Sequence, residues 1–150
     1  MEIFNRKARY DYYIINSLIA GVSLAGSEVK SIKNGGLTFS DPYCIVTKEG
    51  VILRGINIAN IQKNSFQKHP EKRDIHLLLK KSEISKLAKG LDKGKTIVPL
   101  KFFVNSRGLI KVEIALVKGK NYLDKRETIK KRDIEKEIKR NEGQGSLYFR

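Results

Sequence analysis

The sequence predicts a mostly β protein: a small antiparallel closed barrel of about six strands with short helices, followed by a basic C-terminal tail that is disordered or helical. Three observations predict it. Short β-branched and aromatic runs recur through residues 1–117 with turn residues between them, the spacing of hairpins that close on themselves. Only two stretches interrupt them with helical spacing. After residue 117 apolar content falls away while charge stays high.

Residues 10–15 are aromatic and β-branched, which favours strand, and residues 17–24 continue in loose alternation and can pair back on them. Ser27 is placed to cap a helix with Glu28 in its first turn. Val29 and Ile32 share a face, and Gly35-Gly36 ends the helix. Residues 43–47 and 51–56 read as two strands joined at Lys48-Glu49-Gly50, with Ile58 and Ile61 as an extension. Residues 62–73 lack periodicity and read as an exposed basic loop. Leu77-Leu78-Leu79 is apolar at consecutive positions and reads as buried, either as strand or as lead-in to a helix. Ser82 caps that helix, in which Ile84, Leu87, Ala88 and Leu91 fall on one face. Residues 96–105 form a long strand in which Pro99 requires an edge or a bulge. Ser106-Arg107-Gly108 turns it into residues 109–117, where Ile110, Val112, Ile114 and Leu116 alternate with their neighbours. Cys44 is the single cysteine, expected as a buried structural thiol, and one cysteine allows no internal disulfide.

The chain carries 31 Lys and Arg against 16 Asp and Glu, a net charge of +15 over 150 residues. Such an excess repels itself and is better explained by a polyanionic partner. The body, residues 1–117, holds +10 of it (20 basic, 10 acidic), and residues 118–140 hold +5 (10 basic, 5 acidic). Two basic parts suggest two contacts on one large partner. The tail is helix-prone over residues 128–140, with Glu127–Lys131 and Glu135–Lys139 in favourable i,i+4 order. Each such pair contributes only about 0.2–0.5 kcal/mol, so the tail is expected to order on a partner. Residues 141–150 read as a flexible end. No apolar run approaches the ~18–20 residues that span a bilayer, and no apolar signal region opens the chain. A soluble cytoplasmic protein is expected.

Little in the sequence points to catalysis. His69, His76 and Cys44 do not make a zinc site of standard spacing. No phosphate-cradling glycine loop or nucleophile elbow is present. Asp11, Glu28, Asp41 and Asp74 read as caps and partners of basic groups. No enzyme activity, metal or cofactor is expected. Binding chemistry is richer. Arg6, Lys7 and Arg9 lead into Tyr10, Tyr12 and Tyr13, and basic groups hold phosphates while aromatic rings stack on exposed bases. The tyrosines can equally be barrel-face residues. Lys63, Lys68, Lys72 and Arg73 form a second basic group on the loop, open to solvation or RNA contact.

Three strings carry a family resemblance: Asn5-Arg6-Lys7-Ala8-Arg9-Tyr10-Asp11-Tyr12; Ala20-Gly21-Val22-x-Leu24-x-Gly26-Ser27-Glu28-Val29-Lys30-Ser31; and Lys111-Val112-Glu113-Ile114-Ala115-Leu116-Val117-Lys118-Gly119-Lys120 with Asp124-Lys125-Arg126. With Ser40-Asp41-x-Tyr43 and the leucine triplet, in order over residues 5–140, they resemble the SsrA-binding protein (small protein B) family. The resemblance implies an oligonucleotide-binding-like barrel that binds the tRNA-like domain of transfer-messenger RNA. It also implies delivery of that RNA to stalled ribosomes for trans-translation, with the small subunit as the main ribosomal contact. The candidate RNA-binding residues are Asn5, Arg6, Lys7, Arg9, Tyr10, Lys30, Leu78 and Lys111. The resemblance assigns Lys118, Lys120, Asp124, Lys125 and Arg126 to a tail segment entering the decoding region, which Tyr122, Lys130, Lys131 and Arg132 extend. A monomer is expected. Two positions depart from the family: Ile19 stands where an acidic residue is frequent, and Leu123 where Tyr or His is usual, with Tyr122 one place earlier. The competing readings are a general single-strand RNA-binding barrel and a ribosomal or assembly protein.

Overall fold

A computed structural model of the protein describes residues 1–60, 69–91 and 94–120. Its elements are β1 (Glu2–Phe4), α1 (Lys7–Asp11), β2 (Tyr12–Val22), α2 (Gly26–Lys33), β3 (Leu37–Thr47), β4 (Gly50–Ile58), β5 (Ile75–Leu78), α3 (Lys81–Gly90), β6 (Lys95–Val104) and β7 (Ile110–Gly119). The sheet runs β1-β6-β3-β4-β5-β2-β7, and β6 also pairs with β7. Six strands therefore close into an antiparallel barrel, and β1 adds to β6 outside the ring. The mostly β closed barrel expected from the sequence is what forms.

Alternation builds the core. Ile110, Val112, Ile114 and Leu116 of β7 point inward with Val51, Leu53, Ile56 and Ile58 of β4, Ile75 and Leu77 of β5, and Phe102 of β6. Phe102 stacks at a tilt on Phe39, ring centres 6.1 Å apart. The ring closes where Cys44 of β3 pairs with Ile97 of β6. Burial pushes the Cys44 thiol up to about 12, so it stays protonated as the expected structural residue.

Several elements differ from expectation, each for a local reason. Tyr10 belongs to α1, and β2 runs unbroken from Tyr12 to Val22 through a bulge at Ile15. Residues 17–24 thus do not fold back on 10–15; β2 pairs instead with β7 and β5. Both longer helices are capped one turn from their own glutamates and not by serine. The Ala25 N–H donates to Glu28 Oε1 at 2.9 Å, and the Lys80 N–H to Glu83 Oε1 at 2.9 Å. A glutamate at the third helical position can serve the N-cap N–H whatever residue stands there, so Ser27 and Ser82 fall inside the first turn. The leucine triplet is not uniformly buried: β5 alternates, leaving Leu77 inside and Leu78 61% exposed. His69 is buried where a loop residue was expected. Its Nε2 lies 2.9 Å from the Ile58 carbonyl and its Nδ1 2.9 Å from Ser27 Oγ.

Two bulges shape the outer surface. Pro99 lacks an N–H, and the β6–β7 register shifts between Pro99 and Lys101 as that requires. Asn5 takes up the carbonyls left there: its N–H donates to Leu100 O and its Nδ2 to Pro99 O, both at 2.9 Å. In β3 the register shifts between Phe39 and Tyr43, so residues 40–42 swell out opposite Gly55. Gly55 has φ +82, and a Cβ there would sit 2.7 Å from Pro42 Cα and from Ser40 O. Gly55→Ala is expected to destabilise the fold by about 3 kcal/mol through left-handed strain plus the clash. Chemical denaturation checks this, and an unchanged midpoint would mean that the bulge moves aside freely.

Candidate nucleic-acid interface

The outward residues of β7 alternate with its core residues: Lys111, Glu113, Ala115 and Val117. The last two are buried all the same, because α1 covers them. Ala8 of α1 packs with Val98, Leu100, Ala115 and Val117, flanked by Tyr12 and Ile14. Five residues with one buried alanine would not hold a helix in water. Packing on this face and the Asn5 anchor at the β6 bulge hold it instead. With Ala8 facing in, Arg6, Lys7 and Arg9 are left exposed.

At the other end of the same strand, three chain-distant residues meet. Gly21 of β2 pairs with Leu78 of β5 on one side and Lys111 of β7 on the other. A Cβ on Gly21 would lie 3.1 Å from Leu78 Cβ and 3.5 Å from Lys111 Nζ. The missing side chain lets an exposed leucine and an ammonium close in over the Gly21 backbone. Ile19, 55% exposed, is the next outward residue of β2 and pairs with Glu113. Ser17 Oγ donates to Glu113 Oε2 at 3.4 Å. From Lys111 to Val117 the strand rises about 20 Å. A basic helix therefore bounds one end of this strip and the Leu78–Gly21–Lys111 cluster the other. That length spans several phosphates of a folded RNA, which is read by shape, 2′-hydroxyls and exposed bases.

The predicted residues divide accordingly. Arg6, Lys7, Arg9, Leu78 and Lys111 lie along or beside the strip, and Tyr10 is half-buried on α1. The Asn5 Nδ2 donates to Pro99 O, which ties the start of α1 to β6. Lys30 is exposed on α2, a separate element. Lys118, expected in the tail, is in β7 opposite Tyr13 and Lys95. Lys120 is also tied to the barrel: its N–H donates to Asp11 O at 2.8 Å and its Nζ to Arg9 O at 2.9 Å. The same Nζ stands 4.8 Å from the centre of the Tyr13 ring. Tyr122, Asp124, Lys125, Arg126, Lys130, Lys131 and Arg132 lie outside the described residues, as do Lys63, Lys68 and Ile61.

Arg73, grouped with the loop lysines by sequence, is structural. Its Nε and Nη2 donate to the two oxygens of Glu28 at 2.8 and 2.6 Å, and Nη2 also reaches Ser23 O at 3.1 Å. Glu28 is fully buried. Burial alone would raise its pKa, but the Arg73 hydrogen bonds, the Ala25 N–H and the Arg73 charge hold it below the usual carboxylate range. No sequence signal marked this pair, since 45 residues separate its members. Among the described residues no cluster of metal-ligating side chains occurs and no helix is long and apolar enough to cross a membrane.

A small closed antiparallel barrel with a basic helix on its outer face and a strip of this kind belongs to the class of oligonucleotide-binding-like barrel proteins. Residues 2–144 match the family described as SmpB protein, and the chain belongs to that family. It is 44% identical to an SsrA-binding protein of Thermosipho melanesiensis, covering 90% of this chain and 92% of that one. It is 44% identical to the SsrA-binding protein of Moorella thermoacetica, with 91% and 88% covered. A solved structure described as "tmRNA-SmpB: a journey to the center of the bacterial ribosome" superimposes with a TM-score of 0.67 at 35% identity, covering 85% of this chain and 94% of that one.

Proposed function

We propose that the protein binds the tRNA-like domain of transfer-messenger RNA through the β5–β2–β7 strip and α1, and delivers that RNA to stalled ribosomes for trans-translation. The observation that carries this reading is the strip itself, in which Gly21, Leu78 and Lys111 converge on one outward face with Arg6, Lys7 and Arg9 at its far end. It belongs to a barrel whose solved relative is described with transfer-messenger RNA and the ribosome. Lys111 and the α1 cations hold phosphates, and the exposed Leu78 side chain offers an apolar surface to a base or ribose. Asn5 acts by holding α1 in place. The protein works as a cytoplasmic monomer and contributes no catalytic centre of its own.

The body, residues 1–117, carries RNA recognition, and the basic tail, residues 118–150, carries the contact with the ribosomal small subunit. Because Lys118 and Lys120 brace β7 and α1, a clean separation of the two roles needs a chain ending at Lys120. That variant is expected to bind the tRNA-like domain within a few-fold of the full chain and to abolish ribosome rescue. The test titrates both chains with the tRNA-like domain, an ordinary tRNA and an unstructured RNA of equal length, from about 50 to 200 mM salt. Six to ten phosphate contacts alone would lose roughly 10³–10⁵ in affinity over that range. A preference for the tRNA-like domain that persists at the higher salt supports shape recognition. Equal binding to all three that fades together would favour a general single-strand binder, and a large loss on truncation would overturn the division of roles.

A further inference from the structure

On the side of α1 away from the strip, the β3 bulge and α1 enclose a cleft of about 450 Å³. That lies within the range of roughly 300–1,000 Å³ typical of small-ligand sites. Lys7, Asp11, Tyr12, Ser40, Asp41 and Tyr43 are among its walls. The cleft exists because residues 40–42 swell out opposite Gly55. At the crest of the bulge Asp41 has φ 47, the single non-glycine residue of the described chain in the left-handed region. Left-handed backbone at a non-glycine residue costs free energy and persists where surrounding structure enforces it, often at binding sites. The Asp41 carboxylate is exposed and has no hydrogen-bond or ion-pair partner among the described residues, whereas Asp11 is already engaged.

Tyr43 is 41% exposed and lies opposite Arg54 of β4 in the ladder. Arg54 is held by both oxygens of Asp74, at 3.0 and 3.2 Å. Lys7 stands exposed where the cleft meets the cationic face of α1.

We infer that this cleft takes one unstacked guanine of an RNA partner, an assignment that rests on the RNA-binding reading above. The base lies against Tyr43 and Tyr12, its Watson–Crick edge faces Asp41, and its phosphate meets Lys7. The choice of base follows from the carboxylate, which only accepts hydrogen bonds. Guanine alone presents two adjacent donors, N1–H and the N2 amino group. Adenine and cytosine place a ring acceptor beside their amino group, and uracil flanks its one N–H with two carbonyls. Aromatic walls accept any base face, so selectivity falls to Asp41. The surrounding body, net +10 over residues 1–117, draws in the polyanion that carries the base.

The test uses the full chain, labelled with ¹⁵N, titrated separately with GMP, AMP, CMP and UMP. GMP is expected to shift the amides of Lys7, Ser40, Asp41 and Tyr43 at millimolar concentration. The other three should bind at least about five-fold more weakly, the lower end for loss of a bidentate base contact. Asp41→Asn tolerates the left-handed backbone and should erase the guanine preference while leaving the rest of the spectrum in place. Equal shifts from all four nucleotides would mean phosphate capture only and would overturn the proposal, as would an unchanged preference in the variant. The source of the guanine is separated by measuring the same variant on the tRNA-like domain and on the ribosomal small subunit. A loss of five-fold or more in one arm supports the pocket and names its RNA, and no loss in either overturns it. Should the tRNA-like domain be bound normally while the guanine preference is missing, only the pocket falls. Should GMP bind selectively while the tRNA-like domain is not preferred, only the proposed function falls.

Discussion

Lys111→Glu is expected to lower affinity for the tRNA-like domain about 100-fold, close to 2.7 kcal/mol, with the barrel intact. Lys111 faces outward beside Gly21, and no hydrogen bond or ion pair ties it to the described residues. Nothing in the core rests on its charge. Its removal alone should cost one phosphate contact and reduce the salt slope by about one. Reversal adds repulsion between a new carboxylate and the phosphate, with Glu113 already acidic two positions along the same face. The measurement is a pair of titrations at two salt concentrations, with an unfolding curve as control. Stability should stay within about 0.5 kcal/mol of the parent. Affinity within three-fold of the parent would remove the β5–β2–β7 strip as the RNA face and leave α1 to account for binding.

That strip shows what could and could not be read from the chain. The β6–β7 hairpin was legible because Ile110, Val112, Ile114 and Leu116 alternate strictly and a Ser106-Arg107-Gly108 turn precedes them. Pro99 announced its bulge because a proline cannot donate to a ladder. The antiparallel barrel followed from counting such strands. By contrast α1 and β1 were invisible: five and three residues carry no periodicity, and both depend on β6 for their place. Leu78 was misread because three leucines in a row look uniformly apolar, while a strand turns the middle one outward. The convergence of Gly21, Leu78 and Lys111 is a product of strand order, which no local pattern encodes. The family resemblance supplied Leu78 and Lys111 as RNA-binding positions; the barrel supplies the reason that they act together. Arg73, grouped by composition with the loop lysines, is instead tied to Glu28. Charge alone does not distinguish a cation that awaits phosphate from one already committed to a buried carboxylate.

Arg73 makes that distinction measurable. Arg73→Ala is expected to destabilise the fold at pH 7 by about 3–5 kcal/mol, because it strands Glu28 inside the protein without its cation. Glu28→Ala should cost less, about 2 kcal/mol. It loses the Ala25 cap, worth about 1 kcal/mol. However, Arg73 is 30% exposed, can reach water, and keeps the Ser23 and Asp74 carbonyls. The two variants should also differ in their response to mild acid. In the parent, Glu28 has a folded pKa below its unfolded value near 4.3. Its contribution is therefore present above that unfolded value and is lost only as pH falls through the lower folded one. Without Arg73, burial dominates and the folded pKa rises above the unfolded one, so the penalty is present at neutral pH and shrinks on acidification. Urea unfolding at pH 7 and pH 5 should thus show the Arg73→Ala deficit narrowing while the Glu28→Ala deficit holds constant. A stable Arg73→Ala protein with weakened RNA binding would return Arg73 to the RNA-facing role that its loop composition first suggested. A pH-dependent stability loss with normal affinity for the folded fraction fixes it as the counter-ion that lets the buried Glu28 cap α2.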